Sequence, residues 1–216
     1  MSDDVLDHGK RRVIGIQAEL VRAGSFFLAG GTGLGLRLGH RLSDDLDWFT
    51  AKPFDTRVLI ARLTTLDEKP TKLEQHGRYT LRAYYDTIET SFITYDQVPA
   101  RPQAISVGGL TIPVADIELL AAMKAAAIHD RGAKRDFIDA HAISRESGWS
   151  VARFVEHGAQ QLPLSQKQVA MALTYFHDAE KEPMPRGCKV SWESVKTDLV
   201  KGVREWERTR QRGLER

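Results

Sequence analysis

The stretch "FFLAGGTGLGLRLGHRLSDDLDWFT", residues 26–50, constrains the fold of this chain more than any other. An apolar run ends in a Gly-Gly-Thr turn, a short helical stretch follows, and a second apolar run then carries Asp45 and Asp47. Side chains two apart in a strand share a face, so Asp45 and Asp47 project together while Leu46 and Trp48 pack the other way. Two carboxylates on one face repel, and burial aggravates the repulsion, unless a cation sits between them. A hard divalent ion, Mg²⁺ or Mn²⁺, suits oxygen ligands of this kind and leaves positions open for phosphate oxygens. The turn Gly30-Gly31-Thr32 supplies the complement. Glycine lets the backbone approach a ligand closely, and the N–H groups at the start of the following helix favour an anion. A phosphate-binding turn beside a metal-binding Asp pair is the equipment of phosphoryl or nucleotidyl transfer. Thirteen residues separate Gly31 from Asp45, enough for one short helix to bring the chain back beside the first strand. The plainer alternative is a tight turn with Asp45 as a helix cap or ion-pair partner. Other phosphate motifs do not fit: Gly31, Gly33 and Gly35 lack the third glycine of the dinucleotide pattern, and no Gly-Lys-Ser/Thr occurs.

Around this stretch the hydrophobic pattern predicts a helix over 4–23, strands over 25–29 and 46–50, helical turns over 32–39 and a helix over 55–66. Three strand-like runs follow, 71–75, 78–85 and 88–95, with turns at His76-Gly77 and Asp86-Thr87. Val107-Gly-Gly-Leu110 is a further turn between short strands. From Asp116 the character changes, and helices are predicted over 116–130, 134–146, 150–160, 165–179 and 191–213. The expected organisation is an α/β (α+β) domain over 1–114 and a helical domain over 115–216. At 216 residues the chain can bury a real core. Its net charge of +2 is too small to argue for nucleic acid by itself. The lone Cys188 excludes an internal disulfide and a cysteine zinc site and fits a reducing compartment. The acidic opening Met-Ser-Asp-Asp-Val is unlike a secretory signal, and no run nears the roughly 20 apolar residues of a membrane span. The expected location is the cytoplasm, without membrane contact.

The Gly-Gly turn and Asp-x-Asp at this distance resemble the polymerase-β type of nucleotidyltransferase. The wider stretch is similar to the AbiEii/AbiGii toxin family, whose first motif reads Gly-Gly-Thr and then Arg-x-Ser-x-Asp-x-Asp. Arg41, Ser43, Asp45 and Asp47 fill those positions. The resemblance continues through "LLAAMKAAAIHDRGAKRDFIDAHAI", "LTYFHDAEKEPMP" and "VSWESVK", and so covers nearly the whole chain. It implies a minimal nucleotidyltransferase mixed sheet with helices, followed by a helical C-terminal half. It further implies Mg²⁺, a nucleoside triphosphate (NTP) as substrate, tRNA or another RNA as acceptor, and a cognate antitoxin protein in a toxin–antitoxin or phage-defence (abortive infection) setting. By the same resemblance Asp45 and Asp47 hold metal, and Gly30, Gly31 and Thr32, with Arg41 and Ser43, hold the nucleotide. Lys124 reaches a phosphate, and Asp136 and Asp139 complete a cleft. A degenerate module that binds nucleotide or a protein partner, or a phosphotransferase using the same metal site, is the alternative.

One departure from the superfamily bears on mechanism. The position of its third carboxylate, the usual base for an attacking hydroxyl, falls on Ser91, while Glu89 shares that face two residues away. Asp136 or Glu89 is a possible substitute. Lys124, in an alanine-rich run, reads equally as a solvent-face lysine or, with Arg131 at i+7, as part of a basic edge. Ion pairing with neighbouring Lys134 and Arg135 is the plain reading of Asp136. Trp48, Tyr84 and Tyr85 read as core, and His129, His141 and His177 as structural or surface residues.

Overall fold

The Asp7 carboxylate accepts the backbone N–H of Lys10 and so starts α1 (His8–Ala23). Its inward face is Val13, Ile14, Gln17, Leu20 and Val21, the spacing of one helical stripe interrupted by a single amide. The computed structural model describes residues 5–96 and 98–214, the last two as backbone only. The expected start of this helix at residue 4 lies outside the described residues. The chain divides between Asp116 and Ile117 into two compact units.

The first unit is built on seven strands: β1 (Phe27–Leu28), β2 (Leu46–Thr50), β3 (Lys72–Gln75), β4 (Thr80–Tyr85), β5 (Ile88–Thr94), β6 (Gln103–Val107) and β7 (Leu110–Val114). They form one mixed sheet in the order β3-β4-β5-β2-β1-β7-β6. The pairs β2–β5 and β1–β7 are parallel and the remaining pairs antiparallel. Two further helices belong to this unit, α2 (Gly30–Leu38) and α3 (Thr56–Leu63).

Register fixes which side chains share a face. Trp48 lies beside Phe92, and Phe92 beside Leu81. These three, with Leu46, Ala83 and Tyr85, join the α1 stripe and Leu59 and Leu63 of α3 in one core cluster. The alternate residues take the other face. There Asp47 is beside Ser91, Ser91 beside Arg82, and Arg82 beside Glu74, a polar row across four strands. Trp48 and Tyr85 are core residues as expected, at 1% exposure each, whereas Tyr84 is half-buried on the polar face.

The second unit is helical: α4 (Ile117–Asp130), α5 (Lys134–Glu146), α6 (Val151–Gln161), α7 (Gln166–Ala172), a 3₁₀ turn at Ala179–Lys181, and α8 (Trp192–Leu214). Serines start three of these helices, Ser191 accepting the Ser194 N–H at the start of α8. Ser150 caps α6, and Ser165 forms a reciprocal capping box with Gln168 at α7. α7 ends at Ala172, seven residues short of the predicted stop at 179. The chain turns there because Phe176 packs against Phe137 and Trp192, at ring separations of 5.0 and 5.6 Å, a direction that continued helix does not supply. Among the described residues, no helix is long and apolar enough to cross a membrane.

Candidate functional site

β1 is short because its ladder leads straight into a turn. The Ala29 N–H still bonds to the Asp47 carbonyl, 2.9 Å, and the next residue, Gly30, opens α2 at φ +59°. That left-handed conformation strains any residue with a Cβ. A Cβ on Gly30 would also lie 2.4 Å from the Asp47 Oδ2, and one on Gly31 would lie 2.6 Å from the Ser43 Oγ and 2.8 Å from the Arg41 Nη2. The glycines therefore do more than reverse the chain. They bring a helix N-terminus, which has no side-chain cap from Ala29, directly against the carboxylate of β2.

The return segment is anchored from the other side. The Thr32 hydroxyl donates to the Asp45 carbonyl, and the Arg41 Nη1 donates to the Leu42 carbonyl at 2.9 Å. Thr32 and Arg41 are both buried. Gly30, Gly31, Thr32, Arg41, Ser43, Asp45 and Asp47 thus form one constellation within the first unit. Asp45 lies just ahead of β2 and Asp47 within it, and both are half-buried. Thr32 serves through its hydroxyl as a strut between α2 and the segment leading into β2.

Behind the Asp pair stands a residue that sequence reasoning passed over. Gln17, fully buried, accepts from the Trp48 indole N–H at 2.9 Å and from the Thr90 hydroxyl at 3.4 Å. Trp48 and Thr90 neighbour Asp47 and Ser91 along their strands, so this one amide ties α1 to the two strands carrying the polar face. The signal was present in the sequence: a glutamine in an otherwise apolar helical stripe is a buried polar group that must find partners.

The remaining predicted residues lie in the helical unit. The Lys124 Nζ is 3.0 Å from the Asp136 Oδ1 and 2.7 Å from the Asp139 Oδ2. Arg131 adds a fork to Asp136, with Nε to Oδ2 at 2.8 Å and Nη2 to Oδ1 at 3.0 Å. Both aspartates are fully buried and Lys124 is 5% exposed. The solvent-face reading of Lys124 is therefore wrong, and the ion pairs of Asp136 run to Lys124 and Arg131 rather than to Lys134 or Arg135. Lys134 instead donates to the carbonyls of Glu180 and Glu182. Burial alone would raise the pKa of Asp136, but the Arg131 fork and Lys124 outweigh it and hold the carboxyl below the usual range. His141, expected to be structural or at the surface, is buried and bonds to Asp198 at 2.9 Å.

Residues 19–212 match a family model described as "Nucleotidyl transferase AbiEii toxin, Type IV TA system". An uncharacterised protein of Aquifex aeolicus (strain VF5), aq_aa25, is 33% identical over 186 residues, covering 84% of this chain and 87% of its own. Two solved structures from Helicobacter pylori share the fold. A candidate nucleotidyltransferase has a TM-score of 0.59 at 16% identity, with 98% of each chain covered. JHP933 has a TM-score of 0.57 at 17% identity, with each chain covered completely.

Proposed function

Because this chain belongs to the AbiEii family of nucleotidyltransferase toxins of type IV toxin–antitoxin systems, we propose that it transfers a nucleotide from an NTP to an RNA acceptor such as tRNA, with Mg²⁺ at Asp45 and Asp47. The observation that carries this reading is the contact between the Asp47 carboxylate and Gly30, where a helix N-terminus meets a carboxylate across a gap that a Cβ would fill. The donor set fits the ion: two carboxylates, oxygen only, half-exposed and beside a glycine turn. Bound there, the ion would polarise phosphate oxygens and neutralise charge on the leaving pyrophosphate. The chain's own groups do the rest. Backbone N–H groups of the Gly30–Thr32 turn receive the triphosphate, and Arg41, held by the Leu42 carbonyl, adds positive charge beside Gly31. The buried Lys124–Asp136–Asp139 cluster is proposed as a second determinant of transfer. A cognate antitoxin protein is the proposed protein partner and the cytoplasm the proposed location.

The test uses purified protein, Mg²⁺, total RNA and each of the four NTPs labelled in turn on the α- or the γ-phosphate. Label entering RNA from the α-position alone supports nucleotidyl transfer. Label entering from the γ-position makes the protein a phosphotransferase. A second reading, a module that binds nucleotide without turnover, is favoured by Ser91, which stands beside Asp47 where a carboxylate would serve as base. NTP binding with no label transferred to any acceptor would establish it.

A further inference from the structure

Ser91 is the register partner of Asp47 and is 4% exposed, so the sheet offers no carboxylate at that place. The next inward position on the same face of β5 is Glu89, beside Tyr84 of β4. Extended by one residue, the β2–β5 register sets Glu89 level with Asp45. The Glu89 carboxylate also has an ion-pair partner on β4. Its Oε1 is 3.2 Å from the Nε of Arg82, and Arg82 is the neighbour of Ser91, one row toward Asp47. The ion pair thus closes diagonally between the two rows and ties Glu89 to the neighbour of Ser91.

We propose that Glu89 is the catalytic base of this enzyme. Its longer side chain, reaching from two residues back and held by Arg82, replaces the carboxylate that Ser91 lacks. This rests on the nucleotidyl-transfer reading above. The side from which an acceptor must arrive agrees with it. The phosphate turn follows β1, on one flank of β2, and displacement at phosphorus needs the attacking oxygen opposite the leaving pyrophosphate. The opposite flank of β2 is β5. In the step, the acceptor hydroxyl gives its proton to the Glu89 carboxylate while its oxygen bonds to the α-phosphorus. The bond from that phosphorus to the pyrophosphate oxygen breaks, pyrophosphate leaves, and Glu89 returns the proton to water.

Other charged and titratable groups lie near this face, among them His76, 3.5 Å from Glu74. Asp45 lies just ahead of β2 and Asp47 within it. Tyr84 donates its hydroxyl to Glu74 at 2.9 Å, and Lys72 pairs with that same glutamate. Glu74 is thereby engaged two strands further out, which leaves Glu89 as the carboxylate of β5 facing the pair.

The experiment measures kcat, NTP affinity and thermal midpoint for the wild type, Glu89→Gln, Arg82→Met, and each of these combined with Ser91→Asp. The expected result for Glu89→Gln is a kcat lower by about 10²-fold or more with NTP affinity unchanged. Arg82→Met should show a smaller loss in kcat, again without loss of NTP affinity. Ser91→Asp should recover about tenfold or more in both backgrounds, because it restores the carboxylate without the reach from residue 89. Wild-type transfer matched by Glu89→Gln overturns the proposal while leaving the function intact. A loss that Ser91→Asp does not recover also overturns it, by showing that Glu89 serves only as the partner of Arg82. A wild type that transfers no nucleotide overturns the functional reading and this inference with it.

Discussion

Gly30 carries two requirements at once, a positive φ of +59° and a 2.4 Å approach between its would-be Cβ and the Asp47 carboxylate. Gly30→Ala should therefore cost about 1–2 kcal/mol in backbone strain alone. It should also push Asp47 out of place and lower NTP affinity at least tenfold, as read by titration with a non-hydrolysable NTP. Unchanged affinity in a folded Gly30→Ala protein would make the turn a mere connector. Gln17 gives a second test at this scale. Gln17→Leu keeps the volume but strands the Trp48 indole N–H and the Thr90 hydroxyl. A cost of about 1–3 kcal/mol should follow, measured as a lower denaturant midpoint. An unchanged midpoint would show that the amide ties nothing together.

Within the pair of helices α4 and α5, the buried Lys124 is shared by two fully buried aspartates. Lys124→Met should leave Asp139 without its 2.7 Å partner and destabilise by about 3–5 kcal/mol, seen in the denaturant midpoint, and Asp139→Asn in the same chain should recover part of that. The solvent-face alternative for this lysine does not survive its 5% exposure. The pH dependence follows from Asp136, whose pKa is lowered in the folded protein. Its stabilisation is present above the unfolded carboxylate value of about 3.9 and is lost as pH falls through the lower folded value. The wild-type thermal midpoint should therefore fall more steeply than that of Asp136→Asn between about pH 4 and pH 2. Parallel slopes would contradict the pairing. Helices of this kind are legible in sequence because their period is local. Lys124, Ile128 and Arg131 fall on one stripe, but whether that stripe faces water or a neighbouring aspartate depends on packing between helices, which the period does not report. α7 shows the same limit, since its end is set by the contacts of Phe176 with Phe137 and Trp192.

Across the whole molecule, the α/β character, the strand-turn-helix-strand path of residues 26–50 and the helical second unit were legible because each follows from patterns within about twenty residues. The sheet order was not. That β5 joins β2 in parallel, setting Ser91 beside Asp47, depends on a pairing some forty residues apart that no periodicity encodes. Gln17 was missed for that reason, since it gains its meaning only from distant strands. The central claim is that the constellation of Gly30, Asp45 and Asp47 performs nucleotidyl transfer. Its most direct test is the rate of α-phosphate transfer by Asp47→Asn relative to wild type, in protein whose thermal midpoint is preserved. The account predicts a loss of about 10²- to 10³-fold, the scale of several kcal/mol of charge stabilisation at a metal. Transfer by Asp47→Asn at the wild-type rate would contradict it.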